Sequence, residues 1–322
     1  MTFSITKLDR LTQVAPLGLR FRDVVSGAFV GEGLNVRVYP LGRSTASVAA
    51  IANRKGVYVL HHAAGLRALE AGAGNREFWD HLPPRKSFVI EVSDQQRRFQ
   101  PFHFLEQLPI EGIYKWTGVA PASPPASPPA LAAAPTSIPL YSSPVRSVPA
   151  GMAVLRAELW DAAQDTPAAW AVIEGYLDDQ LIVRGIADEQ GRIALIFPYP
   201  APRSFAVSSP PVSPVSSPPA ATGPALTEQV WSIRLLAKYT AVRPVSSPPD
   251  PFEIKPELPD LRFTLSQPPA TLWSDAAITK PLVEVSLRYG RELTLKSEPT
   301  TTSPPLPVRQ SVLFISPAVS PP

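Results

Sequence analysis

Apolar and polar residues alternate over short stretches along much of the chain. Leu34, Val36 and Val38 alternate with Asn35 and Arg37, and Trp231, Ile233 and Leu235 with Ser232 and Arg234. Phe88-Val89-Ile90-Glu91-Val92 and Ala171-Val172-Ile173 are denser runs of the same kind. A period of two places successive side chains on opposite faces, so these segments predict strands. Turn residues separate them. Asn53-Arg54-Lys55-Gly56 and Asp188-Glu189-Gln190-Gly191 each open on a side chain that can bond its own backbone and end on a residue that tolerates positive φ. Helical signals are brief: Gly65 to Gly72 and Asn75 to His81 offer a turn or two each. The pattern predicts an all-β chain of antiparallel β-sandwiches.

Two blocks repeat this plan. Leu19-Arg20-Phe21-Arg22 and Leu155-Arg156-Ala157-Glu158 open them, and the segment Ala52 to Leu60 aligns with Ala187 to Leu195. The reading is a first sandwich over 1–116 and a second over 138–240, the second carrying a Ser-Pro-rich insertion at 204–224. A linker at 117–137 and another at 241–257 divide these from a C-terminal β extension at 258–316, with a tail at 317–322. In the extension, Val283, Val285, Leu287 and Tyr289 alternate with polar residues, and after Gly290 so do Leu293 and Leu295, which predicts a hairpin with one apolar face. Val312, Leu313, Phe314 and Ile315 form a strand apolar on both faces, which needs partners beyond that hairpin. These eight residues, from Val283 to Tyr289 and from Val312 to Ile315, are the candidate assembly interface. Their partner is either the preceding sandwich or another chain.

Composition explains the punctuation. Prolines number 41 in 322 residues. Ser-Pro-Pro begins at Ser123, Ser127, Ser209, Ser217, Ser247, Ser303 and Ser320, and Val-Ser-Ser-Pro-Pro at Val207, Val215 and Val245. Such words favour extended polyproline conformation and lack amide donors, so they read as spacers, with PxxP patterns such as Pro211 to Pro214 as possible docking ligands. Hydrophobic content of 44% argues against wholesale disorder. A formal net charge of +3 is too small for a nucleic-acid partner. Cysteines are absent from the sequence, which removes disulfides and thiolate chemistry. Lys7, Asp9, Arg10 and Gln13 interrupt any apolar leader, and no stretch is long enough for a membrane helix, so the expectation is cytoplasmic residence without membrane insertion, with membrane association of an assembled particle or its release by lysis left open.

Reactive constellations are scarce. His61 and His62 are neighbours on a predicted strand and point to opposite faces. Asp178-Asp179 and Asp188-Glu189 sit at turns, where carboxylates ordinarily cap amides, and their spacing is not that of a calcium loop. Nucleophile elbows and phosphate-binding glycine loops are missing from the sequence. Arg97, Arg98, Phe99, Phe102 and Phe104 read as a solvated hairpin tip followed by a core strand. The expectation is a non-enzymatic protein with no cofactor and no metal.

Both blocks resemble the prealbumin-like sandwich of carboxypeptidase regulatory domains. The residues that carry this are Leu155 to Leu159, Thr166-Pro167-Ala168 and Gly185 to Arg192. The whole chain also resembles proteins encoded with phage-tail-like contractile injection systems. That likeness lies in Leu19 to Asp23, Gly56 to Val59, Gly65 to Arg67, Phe88 to Val92, Arg98 to Phe102, Leu287 to Leu293 and Ser311 to Leu313. It implies a structural subunit, in several copies, at the baseplate or cap of a particle, with sheath, tube, baseplate or cap proteins as partners. The rival expectation is a glycan- or cell-surface-binding sandwich with loop tryptophans such as Trp79 or Trp116.

Overall fold

A computed structural model describes residues 13–72, 74–81, 84–117, 137–202, 226–241, 258–297 and 311–317. The protein is all-β, built of curled and mostly antiparallel sheets. It forms two compact units. The proline-rich stretches expected as linkers, insertion and tail lie almost entirely outside the described residues.

The first unit takes the described residues up to 117, together with 137–140 and 258–265. Its strands are β1 (Leu17–Leu19), β2 (Phe21–Asp23), β3 (Phe29–Val30), β4 (Leu34–Pro40), β5 (Val48–Ala52), β6 (Tyr58–Leu60), β7 (Lys86–Asp94), β8 (Phe102–Leu108) and β9 (Ile138–Leu140). Short helices α1 (Arg67–Glu70) and α2 (Arg76–Asp80) stand where the two helical signals fall, and Asn75 caps α2 by accepting from the Phe78 N–H. Six strands form a sheet in the order β1-β6-β5-β4-β7-β8. The alternation read from the sequence sets its register: Val36 faces Val92, Val38 faces Ile90, and all four are buried. A smaller sheet, β3-β2-β9, contains a parallel pair, Phe21 beside Ile138.

The second unit takes residues 141–202, 226–241, 266–297 and 311–317. Its strands are β10 (Met152–Asp161), β11 (Thr166–Pro167), β12 (Val172–Leu177), β13 (Gln180–Ile186), β14 (Arg192–Pro198), β15 (Val230–Lys238), β16 (Pro269–Trp273), β17 (Glu284–Arg288), β18 (Leu293–Thr294) and β19 (Leu313–Pro317). They join in one curled sheet that runs β11-β10-β19-β16-β15-β12-β13, with β14 and β18 on β10 and β17 on β15. Inside the curl, Leu155 and Leu159 of β10 meet Leu195 of β14, Trp231 and Ile233 of β15, and Leu313 and Ile315 of β19. Trp160, Val312 and Phe314 form a separate apolar cluster, with Trp273 packed against it. Burying each such aliphatic side chain contributes about 1.5–3 kcal/mol.

These units cut across the blocks read from the sequence. Residues 138–140 pair with β2 in the first unit, and α3 (Leu261–Leu265) belongs there too. Residues from 266 onward complete the second unit. The expected hairpin around Gly290 is not formed. β17 pairs with β15, and β18 lies parallel to β10, with Leu155 beside Leu293. Both alternations are real, but the chain turns at Gly290 from one part of the curled sheet to another, so each strand finds an older partner.

Candidate interaction surface and aromatic groove

Strand β19 shows how the eight candidate residues are used. It is parallel to β10 on one side and antiparallel to β16 on the other, so both its margins are paired within this chain. Val312, Leu313, Phe314 and Ile315 are all buried in the second unit. The two-sided burial that the sequence demanded is met by the chain's own strands. Val285 and Leu287 of β17 point into the same core. Val283 is 52% exposed, and Tyr289 packs its ring on Tyr199.

β17 lies differently. Among the described strands it pairs only with β15. The Leu235 N–H donates to the Val283 carbonyl (2.7 Å) and the Tyr289 N–H to the Gln229 carbonyl (3.3 Å). Hydrogen bonding alternates along an antiparallel strand, so the backbone groups of Glu284, Ser286 and Arg288 face the outer margin. Their side chains are exposed, as are the large apolar residues Val230 and Leu236 on β15 beside them.

Near the end of β17 the chain builds a groove of about 270 Å³ lined by Gly151, Met152, Val154, Tyr199, Tyr289, Gly290, Arg291 and Glu292. Tyr199 and Tyr289 stand with ring centroids 4.7 Å apart, and Trp231 backs them at 5.8 and 6.5 Å. The Gly290 N–H donates to the Tyr199 hydroxyl (2.9 Å), which leaves that hydroxyl's own proton to donate. The Trp231 Nε1–H donates to the Ala201 carbonyl (3.3 Å). Glu292 pairs with Arg156 at 3.0 Å. Sequence reading found Tyr289 but not Tyr199 or Arg291, because residues so far apart along the chain share no local pattern.

Two ionic clusters are structural in geometry. In the second unit, buried Glu174 accepts from Arg184 (2.8 Å), Lys238 (2.9 Å) and the Tyr176 hydroxyl (2.9 Å). Burial pushes its pKa up, but Arg184, Lys238 and Tyr176 together outweigh that and hold the carboxyl below the usual carboxylate range. Burial, then the neighbouring Glu174 carboxylate, pushes the Tyr176 phenol up to about 12. In the first unit, Arg262 of α3 donates to Glu106 (2.6 Å) and to the Tyr114 hydroxyl, and its guanidinium lies 5.6 Å from the Trp116 ring. Burial first, and Glu106 next, raise the Tyr114 phenol well above its ordinary value. Trp116, a loop aromatic in the glycan reading, is therefore buried at 7% exposure, and Trp79 sits on α2.

The Asx turns are a further device. Asn53 Oδ1 accepts from the N–H groups of Lys55 (2.9 Å) and Val57 (3.1 Å). Asp188 Oδ1 accepts from Gln190 (3.0 Å) and Arg192 (2.8 Å), and its Oδ2 from the Arg192 side chain (2.9 Å). A third copy joins β7 and β8: Asp94 accepts from the Arg98 N–H (2.6 Å) and from the Arg98 guanidinium (3.0 Å). The expected solvated tip thus has Arg98 clamped. Asp178 and Asp179 both adopt positive φ at the β12–β13 turn, and Asp179 pairs with Arg234 at 2.7 Å.

The histidines lie on separate neighbours. His62 Nδ1 stands 3.3 Å from Glu70 Oε2, and His103 Nε2 stands 4.0 Å from Asp260. Among the described residues no group of three or more His, Asp or Glu side chains is placed to hold a metal ion, and no helix is long and apolar enough to cross a membrane. No family model matches the chain, and neither does any curated protein or solved structure.

Proposed function

We propose that this protein is a non-enzymatic structural subunit of a multi-protein particle, and that it joins a neighbour through the outer margin of β17. The observation that carries the reading is that margin itself. Three residues present outward backbone groups on a strand that, among the described strands, is paired on one side, flanked by exposed Val230, Leu236 and Val283. An added strand there gains main-chain hydrogen bonds, and the alternation of Glu284, Ser286 and Arg288 gives it charge selectivity. The sequence likeness to components of contractile injection systems makes the baseplate or cap of such a particle the first place to look.

Ser286→Pro tests this. Proline there removes an outward N–H and leaves the β15 ladder intact, a position where edge strands tolerate it. The expected result is normal circular dichroism and thermal unfolding with loss of co-purifying partners from the native source. A Ser286→Pro chain that recovers the same partners as the unsubstituted chain sinks the proposal, as does an unsubstituted chain that sediments alone. Truncation after Pro299 is a poorer test, since it removes β19 from the middle of the second unit's sheet.

A further inference from the structure

The outer margin of β17 is complementary to itself. Its exposed side chains, Glu284, Ser286 and Arg288, read acid, hydroxyl, base along the strand. Reversed about Ser286, the order becomes base, hydroxyl, acid. A second copy laid antiparallel on this margin, with Ser286 opposite Ser286, therefore sets each Glu284 opposite an Arg288. The backbone groups of these residues all face outward, so each opposed pair exchanges two N–H···O bonds. A twofold axis through the central pair generates the whole contact, in which one patch meets its own image.

The charges fix that register. A slide of two residues loses both acid–base pairs, and a slide of four sets Glu284 against Glu284 or Arg288 against Arg288, which is destabilising. Within the chain these charges are unspent. Arg234 faces Glu284 across the β15–β17 ladder, but it is engaged by Asp179 at 2.7 Å. Glu284 Oε1 accepts from the Ser232 hydroxyl, and among the described residues no cation pairs with Glu284 and no carboxylate with Arg288. The other face of the strand agrees with the same register. Val283, which is 52% exposed, comes opposite the partly exposed Tyr289 of the other copy, and the same match recurs at the far end. One operation thus pairs the free acid with the free base on one face and an exposed aliphatic with an aromatic ring on the other.

We propose that the neighbour at the β17 margin is a second copy of this chain, joined antiparallel about Ser286. This rests on the reading of that margin as an assembly edge and names its occupant. The test is sedimentation equilibrium of the full-length protein over a concentration series, with circular dichroism and thermal unfolding of every variant. The unsubstituted chain is expected to dimerise. Glu284→Arg and Arg288→Glu each set like charges opposite at both ends of the contact, and each is expected to weaken the dimer by about tenfold or more. Mixed in equal amounts, these two variants are expected to form a heterodimer close to the original in strength, because every opposed charge pair is again acid with base. If Glu284→Arg does not fold, Arg288→Glu mixed with the unsubstituted chain replaces that mixture. This mixed dimer keeps one acid–base pair and is expected to be tighter than Arg288→Glu with itself and weaker than the unsubstituted dimer. A mixture no tighter than its single variants overturns the proposal. So does a dimer that neither substitution weakens, or an unsubstituted chain that stays monomeric throughout. The two readings fail separately. A monomeric chain whose Ser286→Pro variant loses partners from the native source overturns the second copy and leaves the assembly margin standing, whereas a Ser286→Pro chain that keeps every partner overturns both.

Discussion

The turn at 53–57 joins β5 to β6, which pair with each other; the turn at 188–192 joins β13 to β14, which have different partners. The local chemistry is nearly the same in both. An Asx oxygen accepts two backbone N–H groups, and a glycine follows with φ of +70° at Gly56 and +76° at Gly191. The surroundings differ. A Cβ on Gly56 would stand 3.1 Å from the Gly31 Cα, whereas one on Gly191 would stand 2.3 Å from the Leu159 carbonyl oxygen. That carbonyl accepts from the Ala168 N–H, while the Leu159 N–H donates to the Gly191 carbonyl. A turn motif therefore fixes a change of direction and leaves open where the outgoing strand goes. Packing against β10 decides that.

Gly191→Ala is the severest way to break the parallel. It combines strain at positive φ with a collision against backbone, and is expected to cost about 3 kcal/mol or more. Gly56→Ala meets the same φ strain with a contact that a few tenths of an ångström relieve, for about 1–2 kcal/mol. Urea unfolding, resolved by amide exchange in each unit, measures both. Equal costs would mean that the β10 contact contributes nothing.

Removing the cap gives a smaller difference. Asp188→Ala loses the hydrogen bonds from two backbone N–H groups and the Arg192 pair, about 2 kcal/mol, while Asn53→Ala loses only neutral hydrogen bonds, about 1 kcal/mol. The same unfolding measurement applies, and a larger loss at Asn53 would contradict the argument.

Acid separates the third copy from the first. Burial would raise the Asp94 carboxyl, but hydrogen bonds from the Arg98 side chain and backbone outweigh it and hold the group below its ordinary value. A carboxyl depressed on folding stabilises fully above its unfolded pKa of about 4, and that contribution fades as pH falls through the folded value. Amide exchange at the 94–98 turn is expected to accelerate below about pH 4, where the neutral Asn53 turn shows no titration of its own. Asp94→Asn removes the dependence; a persisting acid step at this turn in that variant would assign it elsewhere.

The smallest effect sharpens the comparison. Arg97 adopts φ of +55° where the other two turns have glycine. Arg97→Gly relieves that strain at some cost in unfolded-chain entropy, with a net gain of about 0.5 kcal/mol expected from thermal unfolding. A loss would show that the Arg97 side chain stabilises the turn.

The same contrast explains what could be read from residues alone. Alternation such as Leu34-Asn35-Val36 located strands, and Asn53 and Asp188 located turns, because both signals arise between neighbours along the chain. The hairpin tip at Arg97-Arg98 was legible too, but without the glycine of the other two turns it gave no sign that Asp94 clamps Arg98. The buried cluster of Glu174 with Arg184 and Lys238 was not read, because its members lie on three separate strands and share no local pattern. Strand partnership was least legible. Nothing within Leu293-Thr294 or Val312-Leu313-Phe314-Ile315 names β10 as a neighbour, and the choice follows from the shape of the core they complete. Tyr199 and Tyr289 likewise meet only through that completed shape.

The place of β19 has a consequence for biosynthesis. Its neighbour β10 ends at Asp161 and β19 begins at Leu313, so roughly 150 residues are translated between them. At about 5–20 residues per second, the nascent polypeptide spends roughly 8–30 s with Leu159, Trp160 and Asp161 lacking their mate. During that interval an unfilled slot of the sheet is exposed outside the ribosome, a natural target for a chaperone and a point where stalled translation would leave a sticky intermediate.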